Sequence, residues 1–121
     1  MAYTQVNVTD VTRAGVRVDA AGTAGAAGGD GTGLSFSNDG SVYLHLENTA
    51  ANTPSVVIKS AKTFGGYAVA DQTIAMVASQ DKITGTFPTD IFNTSTGLVQ
   101  MYFSGGNETQ VLVLPLRATG G

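Results

Sequence analysis

Apolar and polar side chains alternate along much of this chain, and this two-residue period restricts it to β-structure. The clearest case is the segment 42–47, where Val42, Leu44 and Leu46 share one face of a strand. The Asn-Asp-Gly triplet at 38–40 is a turn signal, because these residues tolerate positive φ. Turn signals recur roughly every 8–12 residues, and no long helical period is present. The sequence therefore predicts an all-β fold, a β-sandwich (jelly-roll or β-tulip-like) of about eight short strands.

Further strands are expected on both sides of this segment. They are predicted at Gln5–Val8, Gly15–Asp19, Ser55–Lys59, Lys82–Phe87, Leu98–Phe103 and Thr109–Leu116, with Tyr67–Ala70 and Gln72–Val77 as one long or bent strand. A hairpin loop at 105–107 is expected to join the last two strands. Pro115 lacks an amide donor, which predicts that the end of the last strand lies at a sheet edge. A short helical turn is expected at 87–92, opened by Pro88.

The 121 residues match the usual size of one domain. We expect an N-terminal arm or edge strand at 1–14 and a single β-sandwich domain at 15–117. Within that domain the segment 20–33 is almost wholly Gly and Ala, which predicts a flexible loop because it has little to bury. The last residues, 118–121, are expected to form a loose tail.

The charge content excludes several classes of protein. Only 12% of the residues are charged, the net charge is −3, and the six basic residues are scattered singly. No basic stripe exists to neutralise phosphates, so nucleic-acid binding is not expected. The chain has no cysteine, no apolar run long enough to span a bilayer and no signal-peptide pattern at its start. We therefore expect no membrane partner and synthesis in a cytoplasm.

No motif for catalysis or cofactor binding stands out. His45 is the only histidine, lies mid-strand, and is interpreted as a surface or interface residue of a sheet. The glycines at 28–33 run into a predicted strand instead of a helix, which favours a connector over a phosphate loop. The carboxylates of Asp71, Asp81 and Asp90 stand beside turn-prone residues, where Asp is common for structural reasons. The sequence thus predicts no enzyme, no cofactor and no metal site.

Exposed tyrosines and polar residues are the candidates for partner contacts. A Tyr on a sheet face can anchor a protein interface or a sugar ring, although a half-buried structural role is also open. The first residues of the chain are candidates for an arm that orders on a partner. The candidate contact residues are Tyr3, Gln5, Asn7, Arg13, Arg17, Tyr43, His45 and Tyr102.

The span 38–116, about two thirds of the chain, contains the Asn-Asp-Gly triplet at 38–40 followed by VYLHLENTA (42–50), VVIKSAKTFGGYAVADQTIAM (56–76), GTFPTDIFN (85–93), LVQMYFSG (98–105) and QVLVLPL (110–116). In this order these segments resemble small virion proteins of tailed phages, the head decoration (cement) or minor capsid proteins. The resemblance implies a β-sandwich or β-tulip fold. The Gly/Ala-rich segment 20–33 departs from the shorter members.

The resemblance implies a function without catalysis. It implies a decoration protein that binds the outer surface of a phage head and stabilises it, with the major capsid protein and further copies of itself, as a homotrimer, as partners. The location would be the virion surface after synthesis in the host bacterial cytoplasm. A neck or tail structural protein and a carbohydrate-binding or adhesion module are the alternatives. The absence of Trp counts against sugar binding.

Overall fold

A computed structural model of the chain shows a sandwich of two mixed five-stranded sheets. It describes residues 3–12, 14–15, 22–25, 31–49, 51, 53–61, 63–105 and 110–118. The strands are β1 (Tyr3–Val6), β2 (Thr9–Val11), β3 (Thr23–Ala24), β4 (Gly33–Ser37), β5 (Val42–Asn48), β6 (Ser55–Ile58), β7 (Thr63–Phe64), β8 (Tyr67–Ala68), β9 (Gln72–Ala75), β10 (Asp81–Ile83), β11 (Leu98–Ser104) and β12 (Val111–Ala118), with one short helix, α1 (Thr89–Phe92). The predicted all-β sandwich is confirmed.

The chain passes back and forth between the two sheets. Sheet I has the order β1-β4-β11-β6-β9, and sheet II has the order β10-β5-β12-β2 with β3 also pairing with β12. Each sheet contains one parallel pair, β1 with β4 and β2 with β12. The described residues of segment 1–14 thus provide an edge strand to each sheet. Of the Gly/Ala-rich loop, 22–25 lies along β12 and Gly33 begins β4, whereas 20–21 and 26–30 lie outside the described residues.

One continuous core fills the space between the sheets. Alternate residues of the central strands point inward, as the two-residue period predicts. The most completely buried large side chains are Phe36, Phe103, Leu44, Leu46, Ile58, Met76 and Met101. Phe87 joins this core from the segment before α1, and its ring centroid lies 6.0 Å from that of Phe36 and 5.5 Å from that of Phe92.

Three connections differ from the sequence prediction. The strands β11 and β12 were expected to form a hairpin, yet they lie in different sheets, so the chain crosses the sandwich between them. The segments 67–70 and 72–77 do not form one bent strand, because β8 pairs with β7 and β9 pairs with β6. The strand predicted at Lys82–Phe87 ends at Ile83, and the chain then runs through Gly85 and Pro88 into α1. The remainder of the loop at 105–107 and the segment 16–19 lie outside the described residues.

Pro115 lies in an internal strand, which corrects the expectation of an edge. The Leu44 N–H and C=O both bond to Thr84 of the neighbouring segment, so Leu44 and the opposite Pro115 form a non-hydrogen-bonded pair. The nitrogen of Pro115 therefore faces the other side of β12. On that side β3 pairs only with Leu112 and Val113, and β2 begins at Leu116. The gap between these two short strands accommodates the missing donor.

Candidate functional site

The predicted contact residues of β1 and β11 share the outer face of sheet I. Tyr3 lies opposite Gly33 of β4, and Gln5 lies opposite Ser35. Tyr102 stands on the same face, opposite Val57. The Tyr3 hydroxyl accepts a hydrogen bond from the Gly31 N–H at 2.8 Å, and Lys59 Nζ lies 5.6 Å from the centre of the Tyr3 ring. Asn7 is exposed just beyond β1.

Tyr43 and His45 lie on the opposite side of the molecule, on the outer face of sheet II. Their cross-strand neighbours are Leu116 and Leu114 of β12. Of the two interpretations of His45, as a surface or an interface residue of a sheet, the surface one is wrong, because its side chain is only 5% exposed. His45 Nε2 lies 3.4 Å from Asp81 Oδ2, and His45 Nδ1 is buried without a hydrogen-bond partner. The alternation of apolar and polar residues predicts that His45 lies on the outward face of its strand. It does not predict that this face is covered at His45.

The eight candidates therefore do not form one surface. Those that the structure describes divide between the two outer faces of the sandwich. Arg13 and Arg17 lie outside the described residues.

A groove lies at one edge of the sandwich. It has a volume of about 440 Å³ and lies between the edge strands β9 and β10, beside α1. Its lining residues are Gln72, Ile74, Lys82, Ile83, Thr84, Gly85, Thr86, Phe87, Pro88 and Phe92. No local sequence pattern predicts this groove, because it forms where two strands of different sheets and a helix meet.

The buried Asn38 and the half-buried Asn93 fix the helical wall of the groove. The Asn38 side-chain amide donates to Phe87 O at 3.0 Å and to Asn93 Oδ1 at 2.7 Å. The Asn93 side-chain amide donates to Asn38 O at 2.7 Å, and Asn38 Oδ1 accepts from the Gly40 N–H at 3.0 Å. Every polar group of the buried Asn38 side chain is therefore satisfied. The turn at 38–40 and α1 are held together as one rigid unit.

Side chains cap the free edge of β9. The Met76 N–H donates to the segment just before β6 at 2.9 Å, so in this ladder the Thr73 and Ala75 backbone groups point away from β6. Gln72 Nε2 donates to Thr73 O at 3.3 Å, and Lys82 Nζ donates to Ala75 O at 2.6 Å. Inward-pointing charge of this kind protects an edge strand against further pairing.

The free edge of β10 carries no such cap within the described residues. The Thr84 N–H donates to Leu44 O at 2.9 Å, so the even-numbered residues at β10 face β5. The backbone groups of Asp81 and Ile83 consequently point outward. The Ile83 side chain is 68% exposed and that of Val77, in the preceding turn, is 45% exposed; these are the exposed large hydrophobic side chains of the described chain.

The carboxylates of Asp71, Asp81 and Asp90 each interact with a different part of the molecule or with solvent. Asp71 Oδ1 accepts from the Ser60 N–H at 2.8 Å, which is a local structural role. Asp81 lies beside His45, and Asp90 is exposed on α1. Among the described residues no group of three or more His, Asp or Glu side chains is arranged to hold a metal ion. In the same residues, no helix is long and apolar enough to cross a membrane.

An exposed ion cluster ties β2, β12 and the turn at 38–40 together. Arg117 donates to Asp10 Oδ1 at 3.0 Å and to Asp39 Oδ2 at 3.2 Å. The Ser41 hydroxyl and N–H donate to Asp39 Oδ1 and, with Arg117, lower the pKa of Asp39 below its usual value. The two carboxylates raise the pKa of Arg117, Asp10 most strongly.

Comparison of the chain with protein-family models, curated proteins and solved structures gives no match. The geometry of the described residues offers two kinds of surface: two broad outer faces, and one sandwich edge with an open strand.

Proposed function

We propose that this chain is a structural virion protein, a decoration (cement) protein that binds the outer surface of a tailed-phage head and stabilises it. The segments that resemble this family fall on β5 to β9, α1, β11 and β12. These elements form much of the core, so the resemblance concerns the scaffold and does not depend on any catalytic residue.

The observation that carries the proposal is the chemistry of the outer face of sheet I. Its residues on β1, β4 and β11 are uncharged, and Tyr3, Gln5, Gln100 and Tyr102 stand on it. Covering such a face removes few charges from water, so little desolvation cost opposes burial against another protein. Tyrosines supply apolar contact area with few rotatable bonds, which suits an interface.

The proposed partners are the major capsid protein and two further copies of this chain in a homotrimer. The proposed location is the capsid surface, after synthesis in the host bacterial cytoplasm. A weak contact per copy is enough, because contacts between neighbouring copies make later contacts effectively intramolecular. The proposed role needs no enzyme activity, cofactor, nucleic acid or membrane.

Co-sedimentation with undecorated heads tests this proposal. Purified protein is mixed with heads that lack their outer decoration, and the pelleted fraction is measured as the protein concentration rises. We expect saturable binding and heads that open at a higher temperature once saturated. Tyr102→Ala is expected to weaken binding, whereas Thr96→Ala, in the exposed turn before β11, serves as the matched control. Absence of binding, or labelling confined to the tail, would reject the decoration role.

A further inference from the structure

We propose that the groove between β9, β10 and α1 is a binding site for a small carboxylate with an aromatic body. This inference goes beyond the virion role and does not rest on it, because it follows from the shape, rigidity and charge of the groove. The volume of about 440 Å³ lies within the range of small-molecule sites, roughly 300–1,000 Å³.

The aromatic body of the ligand follows from the apolar part of the groove. Phe92 and Ile74 are half-buried, and both pack against the core while also lining the groove. The ring of the buried Phe87 meets that of Phe92 edge to face, with the two ring centroids 5.5 Å apart. A ligand ring covers the apolar surface that these side chains leave in the groove, and it can add an aromatic contact of the same kind.

The walls of the groove are fixed before a ligand binds. The hydrogen bonds of Asn38 and Asn93 hold α1 and the segment before it. The Thr84 hydroxyl accepts from the Leu44 N–H at 3.0 Å and donates to Gly85 O at 2.9 Å, which ties the wall after β10 to β5. Little ordering of the protein is therefore needed on binding, and this favours affinity for a small ligand.

The carboxylate of the ligand follows from the charge of Lys82. Among the described residues that line the groove, Lys82 is the only charged one. Its Nζ donates to Ala75 O at 2.6 Å, which holds the ammonium group between β10 and β9. This acceptor is a neutral carbonyl and takes one of the three N–H groups of the ammonium, so charge and donors remain for an anion. Hydrogen bonds of this charge-assisted kind are the strong ones in a ligand site.

The neighbouring carboxylates lie outside the groove. Asp71, Asp81 and Asp90 are not among the residues that line it. Asp81 Oδ2 lies 3.4 Å from His45 Nε2, and Asp71 Oδ1 accepts from a backbone N–H at 2.8 Å. Lys82 therefore sets the sign of the charge that the lining residues present to a ligand.

Naphthoate is the probe that tests the proposal on the intact chain. Binding is followed by the backbone amide shifts of the isotope-labelled protein in two-dimensional NMR. Naphthamide has the same body without the charge, and acetate has the charge without the body. We expect naphthoate to shift the amides of Gly85 and Thr86 most strongly. Its dissociation constant is expected to be about 1 mM or below, at least tenfold lower than that of either control.

Substitutions of Lys82 test the charge. Lys82→Gln keeps a donor that can reach Ala75 O but removes the positive charge, and it is expected to weaken naphthoate binding about tenfold. Lys82→Arg keeps the charge and is expected to bind naphthoate within about threefold of the wild-type affinity.

A substitution of Gly85 tests the space. A Cβ at this position meets no atom within 4 Å, so a larger side chain is accommodated and takes up room in the groove that Gly85 lines. Gly85→Leu is expected to weaken naphthoate binding about tenfold. Asn7→Leu adds a similar side chain at an exposed site beyond β1, at the opposite edge of sheet I, and is expected to leave binding unchanged within about twofold.

Four results would overturn the proposal. They are no binding of naphthoate at about 10 mM, equal binding of naphthamide, amide shifts that do not centre on the groove, and wild-type affinity in both Lys82→Gln and Gly85→Leu. The peptide N-acetyl-Gly-Gly-Phe carries a carboxylate and a ring at a chain terminus; if it binds more tightly than naphthoate, the groove belongs to a protein C-terminus and the small-molecule assignment is wrong. Should the variants not fold, the ligand series and the amide shifts of the wild-type chain decide the question.

Discussion

Asn38 joins its own turn to the segment around α1. Its side chain is buried and bonds to the backbone of the segment before α1, to Asn93 and to its own turn. The sequence identifies Asn38 only as part of a turn. Its contact with Asn93, 55 positions further along the chain, leaves no local sequence pattern. Buried polar groups of this kind are costly once a partner is lost.

Asn38→Ala is expected to lower the free energy of unfolding by about 3 kcal/mol, since it leaves polar groups of Asn93 and the Phe87 backbone unpaired. The measurement is urea denaturation followed by circular dichroism. Asn7→Ala, at an exposed site, is the control and is expected to change stability by less than about 0.5 kcal/mol. Equal effects of the two substitutions would contradict the role assigned to Asn38.

The lowered pKa of Asp39 predicts the direction in which the stability of the fold changes at acid pH. Hydrogen bonds from Ser41 and the Arg117 guanidinium lower its pKa in the folded state. A lowered folded pKa gives stability above the unfolded pKa of about 3.9, and this contribution is lost as the pH falls through the folded pKa. Asp39→Asn is therefore expected to flatten the loss of stability between about pH 4 and pH 2, measured from urea midpoints. A profile identical to that of the wild-type chain would contradict this assignment.

At the scale of elements, local sequence patterns predicted where the strands lie better than which strands pair with each other. The two-residue period located β5, β6, β11 and β12 within a few residues, because each buries one face in the core. It could not show that β11 and β12 lie in different sheets, since both strands present the same alternation whichever sheet they join. The Pro115 prediction failed for a related reason: the gap between β3 and β2 that accommodates it arises from pairing with distant segments.

Glycine substitutions test the pairing of β4 with β11. A Cβ at Gly33 would overlap the Met101 carbonyl oxygen, whereas a Cβ at Gly85 would meet no atom within 4 Å. Gly33→Ala is thus expected to cost about 3 kcal/mol or more of unfolding free energy, because backbone of the central ladder must move. Gly85→Ala is expected to leave stability within about 1 kcal/mol of the wild-type value. Thermal unfolding of both variants provides the comparison, and a tolerated Gly33→Ala would refute this register.

At the scale of the whole molecule, the two outer faces of the sandwich differ in charge. The outer face of sheet I is polar and largely uncharged along β1, β4 and β11, whereas β5 and β10 of sheet II carry Glu47 and Asp81. The groove and the open strand β10 lie at one edge between them. Composition and alternation predicted the sandwich, but the groove depends on side chains from β9, β10 and α1, and no local pattern in the sequence brings these together.

The position of the chain on a virion is the most direct test of its proposed role. The test uses undecorated heads of the tailed phage to which the proposal assigns this chain; they are incubated with the protein and reconstructed by electron cryo-microscopy. We predict added density on the outer shell, arranged around symmetry axes, into which the two-sheet sandwich fits. Heads whose outer surface is unchanged at saturating protein concentration would contradict it.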